Sequence, residues 1–323
     1  MRISRESLER ESAATGFRAE ILEKVIHLFS LLDGFKKHPF LKGKWALKGG
    51  TALNLFWFDV PRLSVDIDLN YIGQVEREAM LAERPKIEAA IQAVCSREEF
   101  TVARMPSEHA GGKWRLRYES GMGKGGNLEV DVNFMLRLPL WPVTPRDSKK
   151  LGSHQVTGVP VLDLHELAAG KLAALLSRQA SRDLYDAHQL LTRATLEPAR
   201  LRLAFVVYGA MNRKDWRTVK PGDVDFAPAE VERELLPTLR REGENARDRA
   251  ATVSILIAET RSALGLVLPM TASELGFLEA LLEHGEIKPE LLTPDASLAH
   301  IIRRQPMLEW KARHTRGPRK TSP

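Results

Sequence analysis

The chain has 323 residues, with 48 Lys and Arg against 42 Asp and Glu, a net charge of +6, nine His and one Cys. A hydrophobic fraction of 43% with mixed charge excludes a disordered chain, and a single cysteine excludes an intramolecular disulfide and a cysteine-rich metal site. No run of about 18 apolar residues occurs, so no segment is expected to span a membrane, and Met1 to Gly16 lacks the apolar stretch of a signal peptide; a cytoplasmic protein is the expectation.

Two domains, or one with a large helical extension, is the prior at this length. In chain order, Phe17, Ile21, Leu22, Val25, Leu28, Phe29 and Leu32 recur at helical spacing and predict an amphipathic helix. A lysine-bearing loop from Gly34 to Lys44 leads to Trp45-Ala46-Leu47, then Lys48-Gly49-Gly50-Thr51, then a helical run from Ala52 to Phe58: strand, glycine turn, helix. Val65-Asp66-Ile67-Asp68-Leu69 alternates strictly, which marks a strand with apolar residues on one face and carboxylates on the other. Glu76 to Phe100 has helix-forming composition. Trp114 to Tyr118 and Leu128 to Phe134 alternate again and, joined by Gly121 to Asn127, predict a β-hairpin with a mobile tip. Pro139, Pro142, Pro145 and Pro160 predict the end of strand structure and a linker or domain edge. Asp163-Leu164-His165-Glu166 has the capping-box pattern and opens a helix through Lys171 to about Ser177; another helix begins near Ser181. Ala199 to His284 reads as helical with charged faces, and the residues after Ile302 read as a basic tail.

Three features belong together chemically. Gly49-Gly50, between a strand and a helix, offers backbone N–H groups and a helix dipole to a phosphate. The period of two in Asp66-x-Asp68 puts both carboxylates on one strand face, within reach of one or two hard cations. Asp131 projects from a neighbouring strand, where Glu129 and Asn133 share its face and compete for the same role. The plain alternative is a solvated polar strand face, but acidic clusters of this kind also hold paired divalent ions, about 3.5–4 Å apart, for in-line phosphoryl displacement.

The order Gly49-Gly50, helix, Asp66-Ile67-Asp68, later Asp131 resembles the DNA-polymerase-β-type nucleotidyltransferase superfamily. More specifically, Lys48 to Leu53 with Arg62 to Leu69 is similar to the AbiEii family, nucleotidyltransferase toxins of bacterial toxin–antitoxin and phage-defence systems, among which the mycobacterial MenT toxins belong. Lys171 to Arg178, followed by Arg182-Asp183-Leu184-Tyr185-Asp186, resembles the family's Lys-bearing helix and its Arg-Asp-x-x-Asp element, so the likeness covers roughly residues 17 to 195. The resemblance implies an α+β fold. A polymerase-β-like nucleotidyltransferase domain with a mixed sheet and an N-terminal helix would occupy residues 1–160, a mostly helical domain contributing Lys and Asp elements to the active site residues 161–302, and a basic tail residues 303–323.

It further implies transfer of a nucleoside monophosphate from an NTP to an acceptor, in several members the 3′ end of tRNA, which blocks translation, and it implies a cognate antitoxin. Carried over residue by residue, Gly49 and Gly50 cradle the triphosphate, Asp66 and Asp68 bind Mg2+ (Mn2+ being the alternative), and Asp131 is the third ligand or a base. Lys171 neutralises triphosphate charge and Asp186 positions the acceptor or the nucleotide. Lys48, Thr51, Arg62, Ser64, Arg178 and Asp183 complete the substrate-binding set. For Arg62 a phosphate contact and a structural pairing with a strand acid stand level, and Asp183 is the better candidate for a partner of Arg178 or Arg182. Ser64 falls on the Asp66 face, where phosphorylation would add about −1.5 to −2 charge and obstruct the metal site. Other readings remain: a small-molecule or protein acceptor, or a non-catalytic RNA-binding regulator on the same fold.

Several features are decoys. Asp223-Val224-Asp225 follows Pro221-Gly222 without a strand–glycine–helix unit and reads as a loop, Gly121 to Gly126 lacks the order of a P-loop, His109, His154, His165 and His188 lack ligand spacing, and Trp114 on an alternating strand reads as core. Between Ile301 and Pro323, Arg303, Arg304, Lys311, Arg313, Arg316, Arg319 and Lys320 stand against Glu309 alone, which accounts for the whole net charge of +6 and suits a polyanion.

Overall fold

The computed structural model describes residues 3–105, 111–123, 125–178, 180–240 and 246–315; His109, Lys124 and the basic residues from Arg316 onward lie outside the described residues. The chain divides into two compact units: Met1–Arg137 with Pro142–Asp163 and Glu232–Asp248, and Leu138–Trp141 with Leu164–Val231 and Arg249–Pro323. Where the sequence places one boundary near residue 160, the first unit also includes Glu232–Asp248.

The first unit begins with α1 (Arg5–Thr15), which the charged N-terminal composition hides. Its ends are nevertheless signed: the Ser4 side chain accepts from the Ser7 N–H at 3.2 Å, and Gly16 closes it in the left-handed conformation. The expected amphipathic helix is α2 (Ala19–Lys37). Then come β1 (Trp45–Lys48), the one-turn α3 (Gly49–Ala52) continued by a π-helical turn (Leu53–Trp57), β2 (Asp66–Tyr71) and α4 (Arg77–Arg97). The hairpin is β4 (Gly111–Tyr118) and β5 (Gly126–Asn133), preceded by β3 (Thr101–Arg104). Its tip is anchored rather than loose at Ser120 and Gly121: the Ser120 hydroxyl and Gly121 N–H donate to the buried Glu23 carboxylate at 2.6 and 2.7 Å.

The proline-punctuated stretch expected to end strand structure instead adds β6 (Thr144–Arg146) and β7 (Val159–Val161), so the sheet has seven strands in the order β3-β4-β5-β2-β1-β7-β6. Pro145 faces Pro160 in the β6–β7 register, which suits a pair that exchanges no ladder hydrogen bonds, and β6 is an edge strand where proline is tolerated.

One face of this sheet is apolar. Ile67, Leu69 and Tyr71 of β2 and Leu128, Val130 and Val132 of β5 are buried, and α2 packs on β5 and β7 and against α4. Each such side chain contributes about 1.5–3 kcal/mol on burial. The period of two then fixes Asp66, Asp68, Glu129 and Asp131 on the opposite, partly exposed face. Trp114 is fully buried, as its place on the alternating β4 predicts.

The second unit is helical: α5 (Leu164–Arg178), α6 (Ser181–Arg193), α7 (Pro198–Ala210), part of α8 (Pro228–Leu235), most of α9 (Ala246–Ala263), then α10 (Ala272–His284), α11 (Ala296–Arg303) and α12 (Pro306–Thr315). The basic end is therefore not a tail as far as Thr315. Leu308 and Ala312 of α12 are buried, and the Gln305 side chain donates to the Leu138 carbonyl at 2.7 Å.

Candidate active site

β1 pairs antiparallel with β2, β2 parallel with β5, and β5 antiparallel with β4. Their registers set Lys48 opposite Asp68, Asp68 opposite Asp131 and Asp131 opposite Lys113. Opposed residues share a face, so these side chains form one row across the sheet, two carboxylates in the middle and a lysine at each end. In the adjoining row Asp66 lies opposite Glu129, and Glu129 opposite Arg115.

The glycine turn meets this row at Asp68. Gly49 has a φ of +72°, in the left-handed region, and a Cβ on it would lie 2.1 Å from the Asp68 Oδ2. The carboxylate is thus seated against a bare Cα, and glycine is required twice, for conformation and for space. Gly49→Ala is expected to displace Asp68 and cut nucleotidyl transfer on the order of 100-fold, as ~1 Å misplacements do. The variant should keep its far-ultraviolet circular dichroism; full activity would separate the glycine from the site.

Thr51 departs from the substrate-contact role expected for it. It is fully buried and its hydroxyl donates to the Asp66 carbonyl, while Asn54 donates to the Gly50 carbonyl at 2.9 Å. The first bond ties the turn to the start of β2, and the second braces the turn against the helical turn that follows it. Arg62, left between two roles, is 1% exposed; its Nη1 donates to the Leu63 carbonyl at 3.0 Å, and its backbone bridges to Leu239. Leu63 N–H donates to the Thr238 carbonyl at 2.8 Å, so residues of the returning 232–248 segment enclose it, and Arg62 is structural in this unit. Ser64 lies outside β2 and is also buried, which removes the exposed strand-face position expected for its phosphorylation.

Three residues of β5 compete for the third-carboxylate role, and the structure separates them. Lys113 and Arg115 pair with Glu129 at 2.8 and 3.2 Å; the Lys113 hydrogen bond above all holds the Glu129 carboxyl below the usual carboxylate range. Asn133 Oδ1 accepts from the N–H groups of Met135 and Leu136, both at 2.8 Å. Asp131 remains. Burial first, then the Asp68 and Glu129 charges, raise its carboxyl above the usual range, against the pull of Lys48 and Lys113. Glu129→Gln should leave transfer within a few-fold of wild type while Asp131→Asn abolishes it; equal losses would mean that Glu129 acts at the reacting centre.

A divalent cation fits this set in chemistry and register. Hard carboxylate oxygens of Asp66, Asp68 and Asp131 share one face, the chemistry that a hard divalent cation takes. Among the described residues no three His, Cys, Asp or Glu side chains already stand gathered in a metal-holding group.

The other implied residues lie in the second unit. Lys171 Nζ meets Asp183 Oδ1 at 2.8 Å and Asp186 Oδ2 at 2.9 Å, and Arg178 Nε meets Asp183 Oδ2 at 2.8 Å. The alternating order Asp186, Lys171, Asp183, Arg178 runs from a fully buried carboxylate to a guanidinium whose side chain is 66% exposed. Burial alone would raise the Asp183 carboxyl, but Lys171 and Arg178 bring it below the usual range. Asp183 is thus the partner of Arg178, as expected. Asp186 has no exposed side-chain surface and supports Lys171 rather than reaching a substrate. The second Asp-x-Asp is a decoy: Asp223 pairs with Lys214 at 2.7 Å in a 3-10 turn.

A mixed seven-stranded sheet with a glycine turn laid against an Asp-x-Asp strand, and a third aspartate opposite, defines a nucleotidyltransferase of the polymerase-β type. The family described as nucleotidyl transferase AbiEii toxin, type IV TA system, matches residues 30–259, and the chain belongs to that family. Among solved structures it is similar to MenT4, a nucleotidyltransferase toxin from Mycobacterium tuberculosis H37Rv, with 20% identity over 93% of this chain and 99% of that one and a TM-score of 0.59, a likeness of fold. No curated protein matches the sequence. Family membership makes the chain a nucleotidyltransferase that uses an NTP and a divalent metal, and a toxin with a cognate antitoxin. No described helix is long and apolar enough to cross a membrane.

Proposed function

We propose that the chain transfers a nucleoside monophosphate from an NTP to the 3′ end of tRNA, the terminal hydroxyl forming a bond to the α-phosphorus as the α–β bond breaks and pyrophosphate leaves, with Mg2+ as its metal, and so blocks translation in the cytoplasm until its antitoxin intervenes. The observation that carries the chemistry is the placement of Asp68 opposite Asp131, with Gly49 closed against Asp68. Gly49 and Gly50 receive the triphosphate through backbone N–H groups, and Lys48 adds a cation at the end of the row. Asp66, Asp68 and Asp131 would hold the metal, which when bound would supply charge neutralisation for the triphosphate and a lowered pKa for the attacking hydroxyl. All-carboxylate ligation favours Mg2+ or Mn2+ over softer ions. In the second unit Arg178 is an exposed cation suited to phosphate, held by Asp183, which Lys171 in turn bridges to Asp186.

The acceptor rests on likeness to the family. Incubation with each labelled NTP, Mg2+ and total RNA tests it: a labelled tRNA band that Asp66→Ala removes supports the reading. Label on protein or a small molecule instead would move the acceptor class, and no transfer under any NTP and metal would overturn the activity. Growth arrest on expression, relieved by Asp66→Ala, tests the toxin role.

A further inference from the structure

Trp57 ends the π-helical turn that follows the glycine turn, and Arg146 ends the edge strand β6; both lie in the first unit. The Arg146 guanidinium carbon sits over the Trp57 ring, 3.2 Å from its centroid. Arg146 Nε and Trp57 Nε1 are buried donors without an acceptor, and among the described residues nothing forms an ion pair or hydrogen bond with the Arg146 side chain. Burial lowers the pKa of the guanidinium, and the charge of Asp163 offsets this only in part. An arginine in this state carries five N–H donors in a planar fork, held flat on an indole, and its Nε meets no acceptor among the described residues. Such a fork matches the paired oxygens of a phosphate.

The surroundings carry both signs of charge: Asp147 beside Arg146 is exposed, its Oδ1 accepting from the Gly158 N–H at 2.8 Å, and two lysines follow it. Lys149 N–H donates to the Leu55 carbonyl at 2.7 Å, which ties the segment after β6 to the π-helical turn. Its Nζ pairs with Asp59 at 2.9 Å through an exposed contact that screening weakens, and Lys150 beside it is exposed.

The sheet registers separate this place from the carboxylates. Leu47 lies opposite Val161, and Val161 opposite Thr144; Arg146, two residues on, shares their face, whereas Lys48, Asp68 and Asp131 share the other. β6 is also two strands from β1, about 10 Å across the sheet. A triphosphate on Gly49 does not reach around a sheet edge, but the backbone of a nucleic acid does.

We propose that Arg146, seated on Trp57 and flanked by Lys149 and Lys150, is a phosphate-binding anchor for the backbone of an RNA acceptor, outside the reacting centre. This rests on the reading that the acceptor is RNA. The test is equilibrium binding of fluorescent tRNA to the full chain without NTP over a range of salt concentrations, for wild type, Arg146→Ala, Arg146→Lys and Trp57→Phe. Binding of a non-hydrolysable NTP is measured in parallel, and thermal unfolding controls for folding.

Arg146→Ala should weaken tRNA binding on the order of 10-fold and reduce the salt slope by about 1, the signature of one lost phosphate contact, with NTP binding unchanged. Arg146→Lys should keep the slope and lose part of the affinity, because a point charge lacks the fork. Trp57→Phe should keep most of the affinity, the ring remaining as a seat. Wild-type tRNA affinity and slope in Arg146→Ala would overturn the inference, and so would a parallel loss of NTP binding, which would assign Arg146 to the nucleotide. If wild type transfers to tRNA while the Arg146 variants bind normally, this inference alone fails. If wild type binds tRNA through Arg146 but transfers nothing to it, the acceptor assignment fails and the anchor stands.

Discussion

Replacing Asp68 by Asn is expected to lower nucleotidyl transfer roughly 10³-fold or more, the scale of losing several kcal/mol of metal-borne charge stabilisation, while the unfolding temperature stays the same or rises. The expectation of unimpaired stability comes from the register. Asp68 faces Asp131 on the adjacent parallel strand, and its charge helps to raise the Asp131 carboxyl. Like charges directly opposite destabilise a sheet, so a neutral amide there removes a repulsion that Lys48, on the other side of Asp68, offsets only in part. Asn nearly preserves volume and leaves the seat against Gly49 filled. The same substitution should return Asp131 toward the ordinary carboxylate range, visible as a downfield carboxyl carbon whose titration midpoint falls. Activity measured with labelled NTP and stability measured by thermal unfolding decide the matter. Loss of both together would assign Asp68 to the scaffold, and loss of activity alone assigns it to the chemistry.

Much of this row is legible in the sequence, and the limits have definite causes. Asp66 and Asp68 are readable because strict alternation with Ile67 and Leu69 leaves only one face for the carboxylates. Gly49 is readable as a turn residue, but its second duty, giving room to the Asp68 carboxylate, depends on a long-range approach that local pattern does not encode. The choice among Glu129, Asp131 and Asn133 needs the β4–β5 register, because only pairing brings Lys113 and Arg115 onto Glu129. Lys113 escapes notice for the same reason. β6 and β7 are three residues each and rich in proline, too short for a period to show. The burial of Arg62 escapes because Thr238 and Leu239, far along a helical stretch, return to cover it.

Lys171→Met should destabilise the fold by about 3–5 kcal/mol at neutral pH, the cost of removing the cation that two buried carboxylates share. The side chains of Asp183 and Asp186 are 2% and 0% exposed, so little solvent screening is available to them. The effect must also depend on pH in a fixed direction. In wild type, burial would raise the Asp183 carboxyl, but Lys171 and Arg178 hold it below its unfolded value. Its stabilisation is therefore present above the unfolded pKa and lost as pH falls through the lower folded one. In the variant the same burial acts on Asp183 with less opposition, because Arg178 alone remains to hold its carboxyl down, so less stabilisation is left to lose as pH falls. The stability gap between wild type and Lys171→Met should accordingly narrow as pH falls below the ordinary aspartate range, about pH 4, measured by urea unfolding at each pH. Adding Asp186→Leu to Lys171→Met should recover part of the loss, since the remaining Asp183–Arg178 pair is neutral and a buried pair replaced by apolar groups is often tolerated. A gap that stays constant with pH, or no recovery in the double variant, would show that Lys171 contributes through its packed stem rather than its charge.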